Sequence, residues 1–272
     1  MTIIIEADRP SANYWSDLWR FRELLHVLAW RDLSVRYKQT VVGVAWAVIR
    51  PLLSVIVFSI VFGKLARLET GVSDPYPIIV FSGLLPWMFF ATALTDASNS
   101  LLANSSLITK VYFPRAILPT SAIAVALADM LVSVCMLLGM MVWFQYVPSW
   151  RIVFLPFMIV FLFLAVVGPA LWTSAQTVKF RDFRFVIPFL VQLGFYISPV
   201  GFQSSVVPKN WQLIYALNPV VGIIDGFRWC ILSSDPPFPF LSLSISFLIT
   251  AFTLWAGVNH FRRTENEFAD VI

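Results

Sequence analysis

Long apolar runs dominate this sequence and exclude a soluble globular fold. Six can be drawn, at 41–63, 78–97, 116–144, 152–173, 185–202 and 240–261. The second of them is expected to continue for about one more turn. A helix needs about 20 apolar residues to cross the hydrocarbon core of a bilayer. Only 12% of the residues are charged, whereas soluble domains carry about 25%. We therefore predict an all-α integral membrane protein with six transmembrane helices.

The positive charges predict the direction of the spans. Thirteen of the 19 Lys and Arg residues lie in the N-terminal arm, in two loops and in the tail, against five on the opposite face. Because cytoplasmic loops carry an excess of Lys and Arg, both termini are predicted to be cytoplasmic. The predicted parts are a cytoplasmic arm at 1–40, a six-span domain at 41–261 and a cytoplasmic tail at 262–272.

The arm is predicted to contain an amphipathic helix over residues 16–29. Leu18, Phe21, Leu25 and Leu28 recur at helical spacing, and Trp19 is a typical interface residue. Such a helix lies along the cytoplasmic leaflet, either alone or also in contact with a cytoplasmic partner.

The external segment 203–239 is predicted to be more than a loop. Its part from Asn218 to Trp229 is too apolar for a free loop and too short to span the membrane. A pair of re-entrant or interfacial helices fits better, with a break at Pro219 and close packing at Gly222 and Gly226. Either a moving gate or a lid with no moving part would fit this segment.

The sequence offers no catalytic residues, metal site or cofactor site. It contains no G-x-x-x-x-G-K-[ST] phosphate loop, and neither His26 nor His260 has neighbours at metal-ligand spacing. A transport process driven by ATP would therefore need another polypeptide.

Three charged residues are predicted to lie within the membrane. Arg50 falls inside the first run, Asp96 near the cytoplasmic end of the second and Asp129 within the third. An unpaired charge at this depth is costly, so we predict that Arg50 pairs with Asp96 or Asp129. The alternative to a packing ion pair is a polar spot on the substrate path.

Aromatic residues make up 16% of the chain, and most are expected to anchor the protein at the two interfaces. A subset in the middle or outer parts of the runs is predicted to line a substrate path, where rings stack weakly on sugars. These candidates are Trp87, Phe89, Phe90, Trp172, Phe195, Tyr196 and Phe202.

A short polar and basic loop, 104–119, lies between the second and third runs. Its charges place it in the cytoplasm, and its semi-apolar character predicts contact with a separate motor.

Several motifs occur in a familiar order. They are Trp30–Trp46, Gly83–Phe90, Ala97–Ser100, Leu107–Arg115, Lys179–Asp182, Tyr215–Pro219 and Asp225–Trp229. Together they resemble the permease subunit of type-2 ABC exporters for O-antigen, capsule or teichoic-acid polymers, over about residues 30–261. The resemblance implies a homodimer of six-span subunits in the bacterial inner membrane, each paired with a cytoplasmic ATPase that binds ATP and Mg, and no nucleic-acid partner.

The resemblance also assigns roles to residues. It implies that Leu107 to Phe113 forms a coupling helix docked on the ATPase, which Pro114 would end. The coupling residues are Leu107, Ile108, Thr109, Lys110, Val111, Tyr112, Phe113, Pro114 and Arg115. The external gate would comprise Asn218, Pro219, Gly222, Asp225, Gly226, Arg228 and Trp229.

The implied substrate is a polyprenyl-diphosphate-linked glycan, whose anionic head would be attracted by Arg31, Arg36 and Lys38. Three other functions fit the same sequence less fully. They are an ABC exporter of small hydrophobic compounds, a proton-coupled transporter that uses Asp129 or Asp96, and a membrane enzyme that uses Asp225 with Asp235.

Overall fold

The computed structural model describes residues 14–38, 45–65, 74–234 and 236–268, which form helices and turns without a strand. The helices are α1 (Tyr14–Arg20), α2 (Arg22–Lys38), α3 (Ala45–Phe58), α4 (Tyr76–Ala103), α5 (Ser105–Ile108), α6 (Ile117–Trp143), α7 (Leu155–Lys179), α8 (Phe183–Ile197), α9 (Lys209–Tyr215), α10 (Pro219–Ile231) and α11 (Phe240–Thr264). A π-helical stretch, Ser59–Leu65, extends α3, and 3-10 turns occupy Trp150–Phe154, Ser204–Val206 and Glu265–Glu267.

Five of the described helices are long and apolar enough to cross a membrane. They cover Ala45–Gly63, Tyr76–Ala103, Ile117–Trp143, Trp150–Lys179 and Phe240–Thr264. The all-α membrane fold is thus confirmed. The predicted fifth span is shorter than the others, because α8 has 15 residues and measures about 22 Å, while the chain from Ser198 to Phe202 continues as bends.

Helix α4 is the centre of the bundle. It packs against α3, α6, α7, α8 and α10, and Phe81, Leu84 and Leu85 on it are buried. Because lipid tails are as apolar as these side chains, the helices associate through close packing and hydrogen bonds rather than through the hydrophobic effect.

Helices α7 and α11 approach each other most closely at two glycines. A Cβ atom at Gly257 would overlap the carbonyl oxygen of Gly168, and one at Gly168 would overlap the backbone of Thr253 and Leu254. Small residues allow this backbone contact between helices within a membrane. The two helices are therefore fixed to each other at this level.

The N-terminal helices cover the predicted cytoplasmic end of the bundle. The helix predicted over 16–29 is in fact two helices that meet at Phe21, and the second continues to Lys38. Leu28 is buried there in a separate apolar cluster, together with Phe113, Phe261 and Phe268. The predicted apolar face is therefore used for packing against the protein, in addition to any contact with lipid.

Candidate functional site

The predicted coupling segment, 107–115, lies between α4 and α6 and is not a continuous helix. Its only helical turn is α5, which ends at Ile108, and turns and irregular backbone follow up to Arg115. The helix predicted over 107–113 is therefore wrong in extent, and Pro114 does not end it. The reason is that Ile108 and Phe113 are both buried, whereas residues five apart on a helix point about 140° away from each other.

The residues between these two anchors form an exposed tip, which comprises Thr109, Lys110, Val111 and Tyr112. Tyr112 is 65% exposed, whereas Phe113 beside it is only 4% exposed. The segment therefore presents a small apolar and basic surface on a base that is packed into the protein. Leu107, Pro114 and Arg115 are half-buried at its margin.

Arg115 fastens the segment to the end of α11. Its backbone N–H donates to Glu265 Oε1 at 2.6 Å, and its guanidinium donates to the carbonyl oxygen of Glu265. The base of the exposed tip is thereby attached to the end of α11. The sequence did not indicate the role of Glu265, because 150 residues separate the two partners.

Arg36 joins α2 to two spans through a cluster of charges, which we call the Arg36 cluster. Its guanidinium donates to Asp129 Oδ2 at 2.5 Å and to Asp96 Oδ2 at 2.6 Å. The hydroxyl of Tyr37 donates to Asp129 Oδ1. Burial, together with this hydrogen bond, raises the pKa of Tyr37 to about 12, so the hydroxyl keeps its proton. Charge-assisted bonds of this kind are among the strongest in proteins.

The predicted pairing of Arg50 with Asp96 or Asp129 is wrong, because Arg36 occupies both carboxylates. Arg50 is exposed instead, and its Cζ lies 5.9 Å from the centroid of the Trp46 ring. The prediction considered only residues of the spans, whereas the partner comes from the N-terminal arm. The motif that contains Arg36 and Tyr37 was recognised in the sequence, but not its ionic role.

The three basic residues assigned to the lipid diphosphate differ in what they already contact. Arg36 is held by two carboxylates, as described. Arg31 donates to Asp32 at 2.8 Å and to the Asn104 side chain at 2.9 Å. Lys38 is exposed. Arg31 and Lys38 are therefore both exposed, and Arg36 is the member of the three that is held by two carboxylates.

The predicted path-lining aromatics fall into three groups by exposure. Trp87 and Phe89 are buried inside the subunit at 5% and 3% exposure, so these two side chains do not face a path along the subunit surface. Tyr196 and Trp172 are exposed, and Phe90, Phe195 and Phe202 are half-buried. Phe195 contacts Trp87 and Tyr196 with ring centroids 6.0 and 5.6 Å apart.

The segment predicted to be external contains the expected pair of helices, α9 and α10. Asn218 caps α10, because its Oδ1 accepts from the Val220 N–H at 3.1 Å, and Pro219 occupies the first helical position. Gly222 packs against the backbone of Ser242 and Gly226 against Met158. The break and the close packing predicted for this segment are both present.

Helix α10 carries two charged residues that bond to neighbouring segments, the half-buried Asp225 and the buried Arg228. Asp225 accepts from Ser204 at 2.6 Å and from Ser242 at 3.2 Å. Arg228 donates to the carbonyl oxygens of Phe202 at 2.7 Å and Val200 at 3.0 Å. These bonds tie α10 to the turn that follows α8. Trp229, the last predicted gate residue, contacts Phe238 with ring centroids 5.0 Å apart.

A second outer network centres on Asp74, which the sequence did not single out. Its carboxylate accepts from Tyr146 at 3.0 Å, from the Ser233 hydroxyl at 2.8 Å and from the Ser234 N–H at 3.2 Å. Burial would raise the pKa of Asp74, but these hydrogen bonds outweigh burial and lower the pKa below its ordinary value. The network connects three loops at the predicted outer end.

Among the described residues, no group of three or more His, Cys, Asp or Glu could hold a metal ion. His260 Nε2 lies 3.1 Å from Gln176 Nε2, and His26 is exposed. Asp235, the other member of the suggested pair with Asp225, lies outside the described residues.

Together, the bundle of apolar helices, the anchored loop and the outer helix pair agree with a known class of membrane subunit. The family model for the ABC-2 type transporter matches residues 23–232. The chain therefore belongs to the ABC-2 type transporter family.

Relatives in this family match over nearly the whole chain. The O-antigen export system permease protein RfbA of Myxococcus xanthus is 27% identical over 260 residues, which cover 94% of this chain and 98% of the relative. The protein of the same name from Klebsiella pneumoniae is 26% identical, with 92% and 95% covered. The polysialic acid transport protein KpsM of Escherichia coli is 24% identical, with 86% and 91% covered.

Proposed function

We propose that this chain is the transmembrane subunit of an ATP-driven exporter of lipid-linked polysaccharide, of the O-antigen, capsule or teichoic-acid type. The observation that carries the proposal is the match to permeases named for O-antigen export and polysialic acid transport, over at least 86% of this chain. The glycan would leave the cytoplasm across the inner membrane, carried on a polyprenyl diphosphate.

The working assembly would be a homodimer with two copies of a cytoplasmic ABC ATPase, both termini of each permease being cytoplasmic. ATP and Mg would bind to the ATPase, and this chain would be a transport subunit without an active site of its own. The proposed parts remain an arm at 1–40, a span domain at 41–261 and a tail at 262–272. Binding of nucleotide to one state of the motor in preference to another would shift the permease between its own states.

The exposed tip would receive the motion of the ATPase. It stands out from the surface between two buried anchors, Ile108 and Phe113, and Arg115 fastens its base to Glu265. A rigid base is what a force-transmitting element needs, because a free loop would absorb the displacement.

The other functions that fit the sequence receive less support. A proton carrier at Asp96 or Asp129 would first have to break the ion pairs with Arg36. An exporter of small hydrophobic compounds shares the architecture, but none of the relatives named above carries such a name. A catalytic role for Asp225 is disfavoured because its carboxylate is held by Ser204 and Ser242.

The first experiment is co-purification of this chain with the proposed partner, an ABC ATPase co-expressed from the source strain. Lys110→Glu with Tyr112→Ala alters only exposed residues of the tip, and it should abolish capture of the ATPase while the permease stays folded. A matched control, Arg181→Glu with Phe180→Ala, changes two exposed residues of the other predicted cytoplasmic loop and should retain capture.

A second measurement tests the cargo. Deletion of the gene should remove the long polysaccharide from the cell surface and leave it in the cytoplasm, and the wild-type gene should restore export. Continued export in the deletion strain would refute the proposed function, as would failure of the wild-type chain to bind an ATPase.

A further inference from the structure

A cavity of about 800 Å³ lies between α9, α10 and the start of α11, at the predicted outer end. Its volume is within the range of about 300–1,000 Å³ that is typical of small-molecule sites. The lining includes polar groups, among them Gln212, Tyr215, Asp225 and Arg228, and the aromatic ring of Phe238. We call it the outer cavity.

Two residues of this lining, Tyr215 and Arg228, each carry a polar atom that is buried without a hydrogen-bond partner among the described residues, namely Tyr215 Oη and Arg228 Nε. Arg228 is only 4% exposed, and its two terminal nitrogens are committed to the carbonyl oxygens of Phe202 and Val200. Its orientation is therefore fixed while one N–H remains available. A buried donor that lacks a partner is costly, and native proteins satisfy such groups with a ligand or with water.

The other polar groups complement these donors. Each carboxylate oxygen of Asp225 accepts one serine hydroxyl, although a carboxylate offers about four acceptor positions. Gln212 donates one N–H to the Val207 carbonyl at 3.2 Å, and its amide also has a second N–H and an acceptor oxygen. Phe238 is 53% exposed and presents a ring.

Together, donors, acceptors and a ring in one cavity match a polyhydroxylated ring compound. A sugar hydroxyl both donates and accepts, so it can satisfy a buried N–H and a carboxylate at once. The C–H face of the same sugar can rest on an aromatic ring. A hydrophobic compound would leave Tyr215 and Arg228 unsatisfied, and an anion would meet the carboxylate of Asp225.

We infer that the outer cavity binds a sugar unit of the exported polysaccharide at the outer end of the subunit. The inference rests on the proposed function and names a site that this function does not itself require. Tyr215 and Arg228 donate to oxygens of the sugar, and Asp225 accepts from one of its hydroxyls. A bound sugar would hold the polymer between successive strokes and so oppose its return.

The test uses the full chain with its ATPase in lipid nanodiscs. The probe is a fluorescently labelled oligosaccharide set, prepared by mild hydrolysis of the surface polysaccharide of the source strain. Tyr215→Phe removes a single oxygen and should weaken binding about tenfold, which corresponds to about 1.4 kcal/mol and one hydrogen bond. Because the hydroxyl has no protein partner to lose, the unfolding temperature should not fall.

Two matched variants control the experiment. Tyr196→Phe removes the hydroxyl of a tyrosine that is 69% exposed and lies on α8, and it should bind like the wild type. Phe238→Leu should weaken binding through loss of the ring, whereas Phe247→Leu, an exposed residue of α11 outside the cavity, should not.

The outcomes separate this inference from the proposed function. If the wild type restores export in the deletion strain but binds no oligosaccharide at millimolar concentration, or if Tyr215→Phe binds as well as the wild type, the outer cavity holds only water and the inference is wrong. If the wild type fails to restore export, the proposed function itself is wrong. Binding that is weakened by Tyr215→Phe and by Phe238→Leu, and is unchanged in Tyr196→Phe and Phe247→Leu, supports the site.

Discussion

The two ends of the molecule each hold an arginine and an acidic residue, but they use them differently. At the predicted cytoplasmic end, Arg36 is half-exposed and forms two direct ion pairs. At the predicted outer end, Arg228 is almost fully buried and donates to backbone carbonyls, while Asp225 is held by serines. The first arrangement fastens a peripheral helix to the bundle. The second fixes the fold of a turn around a cavity.

The largest effect is expected for Arg228→Met. The change leaves the carbonyl oxygens of Val200 and Phe202 without donors and Asp225 without a nearby positive charge. A buried acceptor left without its donor costs about 1–3 kcal/mol, and this change affects two of them. Thermal unfolding in detergent, followed by tryptophan fluorescence, should show a large decrease in the midpoint. Arg263→Met, which changes an exposed arginine, should leave the midpoint almost unchanged. If Arg36→Met lowered the midpoint as much as Arg228→Met, the contrast between the two ends would be wrong.

The second largest effect is expected for a change at the glycine contact between α7 and α11, the helices that connect the two ends. Gly257→Ala introduces a methyl group against the backbone of Gly168, and overpacking of this kind costs about 1–3 kcal/mol. Both the thermal midpoint and the rate of export should decrease. Gly139→Ala is the matched control, because a Cβ there meets nothing within 4 Å. A Gly257→Ala protein as stable as the control would show that α7 and α11 can separate freely.

A smaller effect is expected within the Arg36 cluster. Asp96→Asn or Asp129→Asn leaves Arg36 one carboxylate, so each change alone should cost about 1 kcal/mol, as for the loss of one hydrogen bond. The double variant should lose more than the sum, by about 0.5–3 kcal/mol, since contacting residues are not additive. Protease sensitivity of α2, measured alongside the thermal midpoint, reports its attachment. Asp32→Asn, which affects the exposed pair with Arg31, should be nearly neutral, and strict additivity would contradict the cluster.

The smallest effect is a dependence on pH at the outer loops. The pKa of Asp74 is lower in the folded protein than its ordinary value of 3.8. Its contribution to stability is therefore complete above that value and is lost as the pH falls through the lower, folded pKa. The difference in thermal midpoint between the wild type and Asp74→Asn should shrink as the pH is lowered below 3.8. A difference that stays constant with pH would argue against the network.

Much of the fold followed from the apolar runs. For the second, third and sixth spans, most of the predicted ends lie within a few residues of the observed ones. Long apolar segments have few alternatives in a membrane. The fifth was less well predicted, since α8 ends at Ile197 and the following turn is organised by Arg228, a partner that lies 28 residues away from Val200. Local composition does not report such contacts.

The site was predicted in outline but not in detail. The break before Pro219 follows from local chemistry, because Asn and Pro are preferred at a helix start. The partner of Asp96 and Asp129 could not be chosen from the sequence, because it depends on how α2 packs against the spans, and Arg36 lies 60 residues from Asp96 and 93 residues from Asp129. The shape of the coupling segment likewise depends on where Ile108 and Phe113 are buried, which is a tertiary property.

The glycine contact on α11 also has a mechanical consequence. Helix α11 begins beside the outer cavity and leads to Glu265, which is bonded to Arg115. At 1.5 Å per residue, Gly257 lies about 10 Å from the last residue of the helix and about 26 Å from its first. If α11 pivots about its contact with Gly168, the parts of the helix on the two sides of the pivot differ in length. A push of about 1 Å beneath the coupling segment would then swing the rim of the outer cavity through about 2.5 Å.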